Sequence, residues 1–275
     1  STASRGGRPP LDIERAAPPT CACRMATAVL RGSSFVLLLL SGLFSEPAFA
    51  FKVRTVERDA QPGSVIKVAC VGASFTQGWR STPGHDYPTQ LARLLGPGYM
   101  VRNFGKGGTT ALKAGRIYRH GRFRAASYHD SYRLRDALAF LPDVVITQWG
   151  SNDSKDYNWR KHGDEFVPDY TELVSMFQRL PTRPRIFVMV PPPLYKDGVG
   201  RMNATVINTM LDGQLRLIAG LQHAGVVDIP SAFLPHCPLP ETKDCDWISR
   251  DHCHPNDAGY YQMALAVRDA IRTSP

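Results

Sequence analysis

From Val65 onward, apolar runs of strand length alternate with amphipathic segments of helix length. The runs are nearly continuous in apolar character and rich in β-branched residues, which is typical of strands covered on both faces of a parallel sheet. The intervening segments repeat their apolar residues at helical spacing. Together the two patterns predict an α/β fold, a three-layer α/β/α sandwich around a mostly parallel five-stranded sheet.

These patterns predict individual strands and helices. The strands are residues 65–71, 100–104, 143–149, 186–190 and 226–229, and the longer helices are residues 87–95, 132–140, 167–180, 204–223 and 256–271. Ligands of parallel sheets bind beyond the carboxyl ends of the strands. Functional residues are therefore expected in the segments that follow strands.

The N-terminal part of the sequence differs from the rest. Residues 1–24 are rich in Arg, Pro and small residues, and we expect an upstream non-native or disordered segment there. Residues 25–50 combine a basic start, an apolar run over 35–44 and a small-x-small end, which is typical of a secretory signal peptide. We therefore predict a secreted or extracytoplasmic protein with a single domain at 51–275. A buried N-terminal helix is the alternative interpretation of the apolar run, which is too short for a membrane span.

Glycine-rich segments follow the first two predicted strands. Residues 72–78, Gly-Ala-Ser-Phe-Thr-Gln-Gly, would let the chain turn sharply and present the hydroxyl of Ser74 at the edge of the sheet. A phosphate-binding loop is excluded here because no Gly-Lys-Ser/Thr follows at the required spacing. Residues 105–108, Gly-Lys-Gly-Gly, are either a flexible turn or a set of backbone N–H groups that hold a developing oxyanion.

The third predicted strand is followed by Gly-Ser-Asn-Asp at residues 150–153. Asn152 can point its amide donors into the same crevice as the two glycine-rich segments. Asn152 also begins a glycosylation sequon, but a loop at a sheet crevice is a poor acceptor, and Asn203 begins a better one.

A candidate acid–base pair lies just before the last predicted helix, in Asp-His-Cys-His-Pro at residues 251–255. A serine hydroxyl is a weak nucleophile that needs a base, and Asp251 can hold the ring tautomer that leaves the other nitrogen of His254 free for this role. His252 competes, but adjacent side chains diverge, which favours His254. A metal site at His252, Cys253 and His254 is a weaker alternative because a closed site requires a fourth ligand. No metal and no organic cofactor is expected.

The six cysteines are consistent with an oxidising compartment. Cys70 lies in an apolar strand and is predicted to be a buried free thiol, whereas Cys21 and Cys23 precede the domain. The remaining residues are clustered, and one disulfide among them is plausible, with the pair left open: Cys237, Cys245 and Cys253.

The formal net charge of +9 raises the question of an anionic partner. The sequence contains no helix-turn-helix pattern, zinc finger or aromatic RNA-binding strand, so no nucleic-acid partner is expected. The densest basic stretch, at residues 113–124, is interrupted by Tyr118 and Phe123 and contains Lys113, Arg116, Arg119, Arg122 and Arg124. We interpret this stretch as a solvated loop and helix face. The alternative is a binding surface for an anionic polymer or a membrane.

The four segments, in this order and near these spacings, resemble the SGNH (GDSL-like) hydrolase superfamily over residues 65–272. The resemblance implies a flavodoxin-like sheet, with Ser74 as nucleophile and His254 and Asp251 as its triad partners. It also implies an oxyanion hole made by the N–H groups of Ser74 and Gly108 and the side chain of Asn152. One departure is Ala73, which stands where the family usually has an Asp that supports the surrounding loops.

Residues 149–170 are further similar to secreted bacterial carbohydrate esterases. The sequence therefore predicts a secreted serine ester hydrolase that removes short acyl groups, acetyl first among them, from a carbohydrate that could be an anionic polymer. The acyl-enzyme would form on Ser74. One alternative is a lysophospholipase or other lipid esterase, which the basic stretch favours. The other is a non-catalytic glycan-binding protein, which Ala73 motivates. The oligomeric state is not predicted.

Overall fold

The computed structural model describes residues 64–239 and 245–273. The predicted upstream segment at 1–24 and the predicted signal peptide at 25–50 lie outside these residues. Within them, no helix combines the length and the apolar character that crossing a membrane requires.

The described strands and helices alternate along most of the chain. The strands are β1 (Ile66–Gly72), β2 (Tyr99–Gly105), β3 (Arg116–Arg119), β4 (Arg122–Ala125), β5 (Val144–Gln148), β6 (Arg185–Val190) and β7 (Gly225–Asp228). The α-helices are α1 (Ser74–Gln77), α2 (Tyr87–Leu95), α3 (Tyr132–Ala139), α4 (Asp156–His162), α5 (Phe166–Gln178), α6 (Leu211–Leu221), α7 (Ile229–Phe233) and α8 (Asp257–Thr273).

The main sheet has the strand order β2-β1-β5-β6-β7, and every neighbouring pair is parallel. Numbered within this sheet alone, the order is 2-1-3-4-5, that of flavodoxin-like folds. The crossover from β1 to β2 runs in the opposite direction to those from β5 to β6 and from β6 to β7. Right-handed connections therefore place α2 on one face and α5 and α6 on the other. The predicted three-layer α/β/α sandwich with a five-stranded parallel sheet is confirmed.

The direction of the strand order changes at β1 and β5, which pair in register from Val68 with Val144 to Gly72 with Gln148. The connections that leave these two strands diverge, so a crevice opens beyond their carboxyl ends. Ser74 follows β1 and Asn152 follows β5. The topology therefore brings two of the predicted site segments to the same crevice.

A buried aromatic cluster supports this edge of the sheet. The ring of Trp149, which follows β5, lies 4.6 Å from that of Tyr128 and 5.4 Å from that of Tyr170, and all three residues are fully buried. The hydroxyl of Tyr128 donates to the carbonyl of Phe104 in β2 at 2.7 Å. Burying each aromatic side chain contributes about 1.5–3 kcal/mol. The cluster thus fixes the ends of β2 and β5 relative to each other.

The basic stretch is an antiparallel hairpin of β3 and β4, so its interpretation as a loop and helix face was wrong. The turn between the strands is His120-Gly121, and both residues have positive φ, 50° and 76°. Two-residue turns of this kind match the right-handed twist of the flanking strands. Tyr118 and Phe123 pair across the strands with ring centroids 5.1 Å apart. The strand propensity of the aromatic residues and the turn formed by His120-Gly121 therefore determine the secondary structure of this stretch in spite of its polar composition.

The predicted helix at 204–223 is interrupted. Residues Val206–Met210 form a π-helical turn, and the α-helical part that follows, α6, ends at Leu221. Within the π turn, the side chain of Asn208 accepts from the N–H of Leu194 and donates to its carbonyl, each at 2.9 Å. The wide turn therefore ties this helix to the segment that follows β6.

Candidate active site

The turn after β1 presents Ser74 at the crevice. A Cβ built on Gly72 would lie 2.4 Å from the carbonyl oxygen of Gln148, so only glycine allows β1 and β5 to approach this closely at their ends. The N–H of Ala73 then donates to the same carbonyl at 3.1 Å. Ser74 begins α1 immediately afterwards and is half-buried.

Ser74, His254 and Asp251 form a continuous hydrogen-bonded chain. Oγ of Ser74 lies 2.8 Å from Nε2 of His254, and Nδ1 of His254 lies 2.8 Å from Oδ2 of Asp251. The ring of Phe75 packs edge-on against the imidazole at 5.4 Å. The structure therefore brings these three predicted residues together in the arrangement of a serine–histidine–aspartate triad.

His252, the predicted competitor, is not part of this chain. It has a φ of 56°, and its backbone N–H donates to the carbonyl of Ser249 at 3.0 Å. Both ring nitrogens of His254 are engaged by Ser74 and Asp251, so none is left for the metal site that the sequence offered as an alternative.

Asp251 is surrounded by hydrogen-bond donors. Its Oδ1 accepts from the hydroxyl of Ser249 at 2.8 Å and from the N–H groups of Cys253 at 3.1 Å and His254 at 2.9 Å. Its Oδ2 accepts from Nε of Arg80 at 3.0 Å as well as from His254. Burial alone would raise the pKa of Asp251, but the hydrogen bonds from His254 and Ser249 outweigh burial and hold the pKa well below its usual value. The carboxylate is therefore ionised and holds Nδ1 of His254 protonated.

The imidazole of His254 is kept in its basic form. Burial lowers its pKa below the ordinary value of 6.5, and the positive charges of Arg80 and Lys155 act in the same direction. The hydrogen bond and charge of Asp251 oppose this lowering without cancelling it. At neutral pH, Nε2 is consequently free to accept the proton of Ser74.

The glycine loop, defined as residues 106–109, lies beside Ser74. A Cβ built on Gly107 would be 3.7 Å from Cβ of Ser74. The N–H of Gly107 donates to Oε1 of Gln77 at 2.6 Å, whereas no described residue accepts from the N–H of Gly108. Gly108 has a φ of 85°, and a Cβ there would meet Ile117 at 2.6 Å. A donor at Gly108 is thus available next to Ser74.

Asn152 joins the glycine loop and has no hydrogen bond to Ser74 among the described contacts. Its Nδ2 donates to the backbone carbonyl of Thr109 at 3.0 Å. The backbone carbonyl of Asn152 accepts from Nδ2 of Asn158 at 2.9 Å. One hydrogen of its amide group is therefore committed to positioning the loop. The other remains for a ligand in the crevice.

Asp153 is a buried residue whose role was not recognised from the sequence. Its Oδ1 accepts from the N–H of Leu112 at 2.9 Å and its Oδ2 from the N–H of Gly150 at 3.0 Å. Burial raises the pKa of Asp153 to about 6, although the backbone hydrogen bonds oppose this rise. The spacing to Gly150 was the available signal, because Asp side chains commonly accept from backbone N–H groups nearby.

Ala73 stands where the resembling family usually has an Asp that supports the surrounding loops. In this protein other side chains form hydrogen bonds around that turn. Asn103 accepts from the N–H of Gly105 at 2.9 Å and donates to Asp86 at 3.3 Å, and Gln77 holds Gly107 as described above. Ala73 is buried, at 3% exposure. The loops around Ser74 are therefore connected through residues on α1 and β2 and through Asp86, the N-cap of α2.

The cysteines resolve the pairing that the sequence left open. Cys237 and Cys245 form a disulfide, and Cys253 is a buried free thiol next to Met202. The prediction of a buried free thiol at Cys70 is confirmed. Burial raises the pKa of Cys70 and of Cys253 to about 12, so neither is a thiolate at neutral pH.

Known proteins are similar to this chain in sequence or in fold. An acetylxylan esterase from Xylanibacter ruminicola is 29% identical over 228 residues, which cover 75% of this chain and 43% of the relative. The chain thus spans less than half the length of this curated relative. A two-domain esterase active on acetylated mannans is 23% identical with a TM-score of 0.56, covering 78% of this chain and 52% of that one.

A carbohydrate acetylesterase family member from Sinorhizobium meliloti is 22% identical with a TM-score of 0.55, covering 76% of this chain and 98% of that one. These structural likenesses show a shared fold. Residues 70–262, which contain all four site segments, match the family model described as the GDSL-like Lipase/Acylhydrolase family. The predicted resemblance is thereby confirmed, and the chain belongs to the GDSL-like lipase/acylhydrolase family.

Proposed function

We propose that this protein is a serine carboxylic ester hydrolase that removes acetyl groups from a carbohydrate. The observation that carries the proposal is the hydrogen-bonded chain from Oγ of Ser74 through His254 to Asp251, with both distances at 2.8 Å. An ionised carboxylate, a neutral imidazole and a hydroxyl in this order activate serine towards acyl carbonyl groups.

In the first half of the reaction, Oγ of Ser74 attacks the ester carbonyl carbon while Nε2 of His254 takes the hydroxyl proton. The carbonyl oxygen becomes an oxyanion, which the N–H groups of Ser74 and Gly108 and the side chain of Asn152 stabilise. Each such donor contributes about 10²–10³ in turnover. Asp251 stabilises the imidazolium that forms. The imidazolium then gives its proton to the leaving sugar oxygen, and the acyl-enzyme remains.

In the second half, a water molecule attacks the acyl-enzyme carbonyl, and Nε2 of His254 takes a proton from that water. The same donors stabilise the second oxyanion. Collapse of this intermediate returns the proton to Oγ of Ser74 and releases acetate. The cycle balances without a metal or an organic cofactor.

Two observations support a carbohydrate as the acyl carrier. The relative and the structural neighbour named above are described as acting on acetylated xylan and acetylated mannans. A cavity of about 470 Å³ is lined by Asp156, Asp197 and Asn203 together with the rings of Phe123 and Tyr157, and Met202 in its lining contacts Cys253, the residue before His254. Polar groups beside aromatic faces suit a sugar, whose hydroxyls need hydrogen-bond partners, better than a fatty acyl chain.

We further propose that the protein is secreted. The disulfide between Cys237 and Cys245 supports this, because disulfides persist in oxidising compartments. The predicted signal peptide is consistent with the same destination. The N-terminal residue of the protein recovered from culture medium tests the proposal, and a protein retained in the cytoplasm with reduced cysteines would contradict it.

The function is tested by hydrolysis of p-nitrophenyl acetate, longer p-nitrophenyl esters and acetylated xylan by the full chain and by Ser74→Ala. We expect acetyl esters to be preferred and turnover to fall by about 10⁶ in the variant. Equal rates in the two proteins would show that Ser74 is not the nucleophile. A preference for long acyl chains would favour the lipid esterase, and binding of xylan without turnover would favour a glycan-binding protein.

A further inference from the structure

The β3–β4 hairpin presents two chemically different faces. Directly opposed residues of an antiparallel pair point to the same side, so Tyr118 and Phe123 share an aromatic face. The other face carries the pairs Ile117 with Arg124 and Arg119 with Arg122. The arginine-bearing face is turned towards the glycine loop, since a Cβ on Gly108 would lie 2.6 Å from Ile117 and 2.8 Å from Nη2 of Arg119.

A cavity of about 310 Å³ lies between this face and the glycine loop, and we name it the hairpin cavity. Its lining includes Gly107 and Gly108, and three cationic side chains border it: Lys106, Arg119 and Arg124. A volume of this size is at the lower end of small-ligand sites, which begin at about 300 Å³. The cavity therefore adjoins the candidate oxyanion donor at Gly108, and Gly107 in its lining lies beside Ser74.

The cations of the hairpin cavity have no acidic partner within the described part of the chain. None of the three forms an ion pair there, and Asp130 is the acidic residue in the lining. Lys155 is buried at 8% exposure, and burial together with the charges of Arg119 and Arg201 lowers its pKa to about 8. Lys106 lies over the ring of Tyr132 at 5.2 Å, so the two arginines are the cations that an anion in the recess would meet without a competing carboxylate partner. A recess bordered by cations of this kind favours a bound anion.

We propose that the hairpin cavity binds a carboxylate of the polysaccharide, so that the substrate class is an acetylated polysaccharide containing uronic acid residues. This inference rests on the proposed function. The guanidinium groups of Arg119 and Arg124 are planar forks that match the two oxygens of a carboxylate. Since the cavity adjoins Gly108, the charged residue lies close to the sugar that carries the ester.

A polysaccharide fits this geometry better than a membrane. The cations border a recess between a hairpin and a loop, which accepts a single substituent, whereas an anionic bilayer presents a broad surface. On the aromatic face of the hairpin, the rings of Phe123 and Tyr157 lie 5.0 Å apart. Both residues line the cavity of about 470 Å³ described above. The hairpin thus separates two recesses, which a chain of sugar residues can occupy in succession.

The test compares kcat/KM for acetylated polygalacturonate and for acetylated xylan without uronic acid side groups, at equal acetyl content and ionic strength. The variants are Arg124→Gln and, as a matched control, Arg116→Gln on the same hairpin outside the cavity lining. We expect the wild-type protein to prefer the polygalacturonate and the preference ratio to fall about tenfold in Arg124→Gln. Arg116→Gln should keep the wild-type ratio.

Each other outcome has a defined meaning. Equal kcat/KM for the two polymers in a wild-type protein that hydrolyses p-nitrophenyl acetate would overturn this inference and leave the proposed function intact. No turnover of any ester would overturn both. A stronger preference for an acetylated, sulfated galactan would replace the carboxylate by a sulfate and overturn the assignment. Binding to phosphatidylglycerol vesicles that Arg124→Gln abolishes, without polymer preference, would assign the cations to a membrane.

Discussion

Arg80 donates from Nε to Oδ2 of Asp251 at 3.0 Å, and this is the same oxygen that accepts from Nδ1 of His254 at 2.8 Å. The guanidinium is largely exposed, with 55% of its side chain accessible, whereas Asp251 is at 19%. One carboxylate oxygen thus connects a solvent-facing cation to the imidazole. This contact indicates that Arg80 positions the carboxylate of Asp251. Its positive charge also lowers the pKa of His254.

We predict that Arg80→Gln moves the acidic limb of the pH profile of kcat/KM to higher pH. In the proposed mechanism His254 must be neutral to accept a proton, so we expect activity to be lost as the pH falls through the pKa of this residue. In the wild-type protein burial, Arg80 and Lys155 lower that pKa below 6.5, and the midpoint of the limb should lie below this value. Removing the charge of Arg80 raises the pKa, which shifts the limb upwards.

The profile is measured with p-nitrophenyl acetate between pH 4.5 and about 8, across the range in which histidine titrates. Arg135→Gln on α3 removes an equal charge elsewhere and serves as the control. If Arg80→Gln lowers the plateau of kcat/KM and leaves the midpoint of the acidic limb unchanged, Arg80 has a structural role and no electrostatic effect on His254.

Asn152→Ala is expected to lower kcat by about 10²–10³ with a smaller change in KM, because an oxyanion donor acts mainly in the transition state. The same side chain holds the carbonyl of Thr109 at 3.0 Å, so the loop must be monitored separately. The melting temperature and the binding of a non-hydrolysable acetamido sugar provide this readout. A rise in KM with unchanged kcat would assign Asn152 to positioning of the loop alone.

The sequence predicted the central sheet well because its strands are buried. Residues 68–71 of β1 are fully inaccessible, and such strands must be continuously apolar, which leaves a clear pattern. The β3–β4 hairpin has no buried face, with all four residues of β4 exposed, so periodicity carried no information there. The turn pair His120-Gly121 was the remaining signal, and it is visible in the sequence.

Some of the site residues could likewise be predicted from the sequence, and others could not. Ser74, the glycine loop and the Asp251–His254 pair occur in short segments whose residue types express their chemistry. Arg80 could not be predicted, because its partner is 171 positions away and nothing local distinguishes it from any exposed arginine. Asp153 was visible but its burial was not, since burial depends on how Leu112 passes over the loop after β5.

Asp153 leads to a prediction about stability and pH. Burial raises the pKa of this carboxyl to about 6, above the ordinary value of 3.8, so the folded state binds the proton more tightly than the unfolded state. Its contribution to stability is therefore full below about pH 4 and is lost as the pH rises to about 6. The loss is on the order of 2–3 kcal/mol, since one unit of pKa corresponds to about 1.4 kcal/mol.

The measurement is urea denaturation of the wild-type protein and of Asp153→Asn at several pH values across this window. The free energy of unfolding of the wild-type protein, relative to that of the variant, should decrease as the pH rises. The variant itself should be less stable at pH 4. An amide NH2 group cannot accept from a backbone N–H, whereas the hydroxyl oxygen of a protonated carboxyl still can, and an unsatisfied buried N–H costs about 1–3 kcal/mol. A difference that is constant with pH would contradict the raised pKa.

The last prediction concerns Gly105, which contacts no substrate in the proposed mechanism. A Cβ at this position would lie 2.2 Å from the backbone nitrogen of Gln77, so the end of β2 approaches α1 more closely than any side chain allows. Gly105→Ala must therefore displace α1, and with it Ser74. We expect kcat for p-nitrophenyl acetate to fall by about 10²-fold, because small misplacements of reacting groups have effects of this size.

Gly98→Ala is the matched control, since a Cβ there meets nothing within 4 Å, and it should retain wild-type kcat. Full activity in Gly105→Ala would show that the hydroxyl of Ser74 tolerates movement of the helix that it begins.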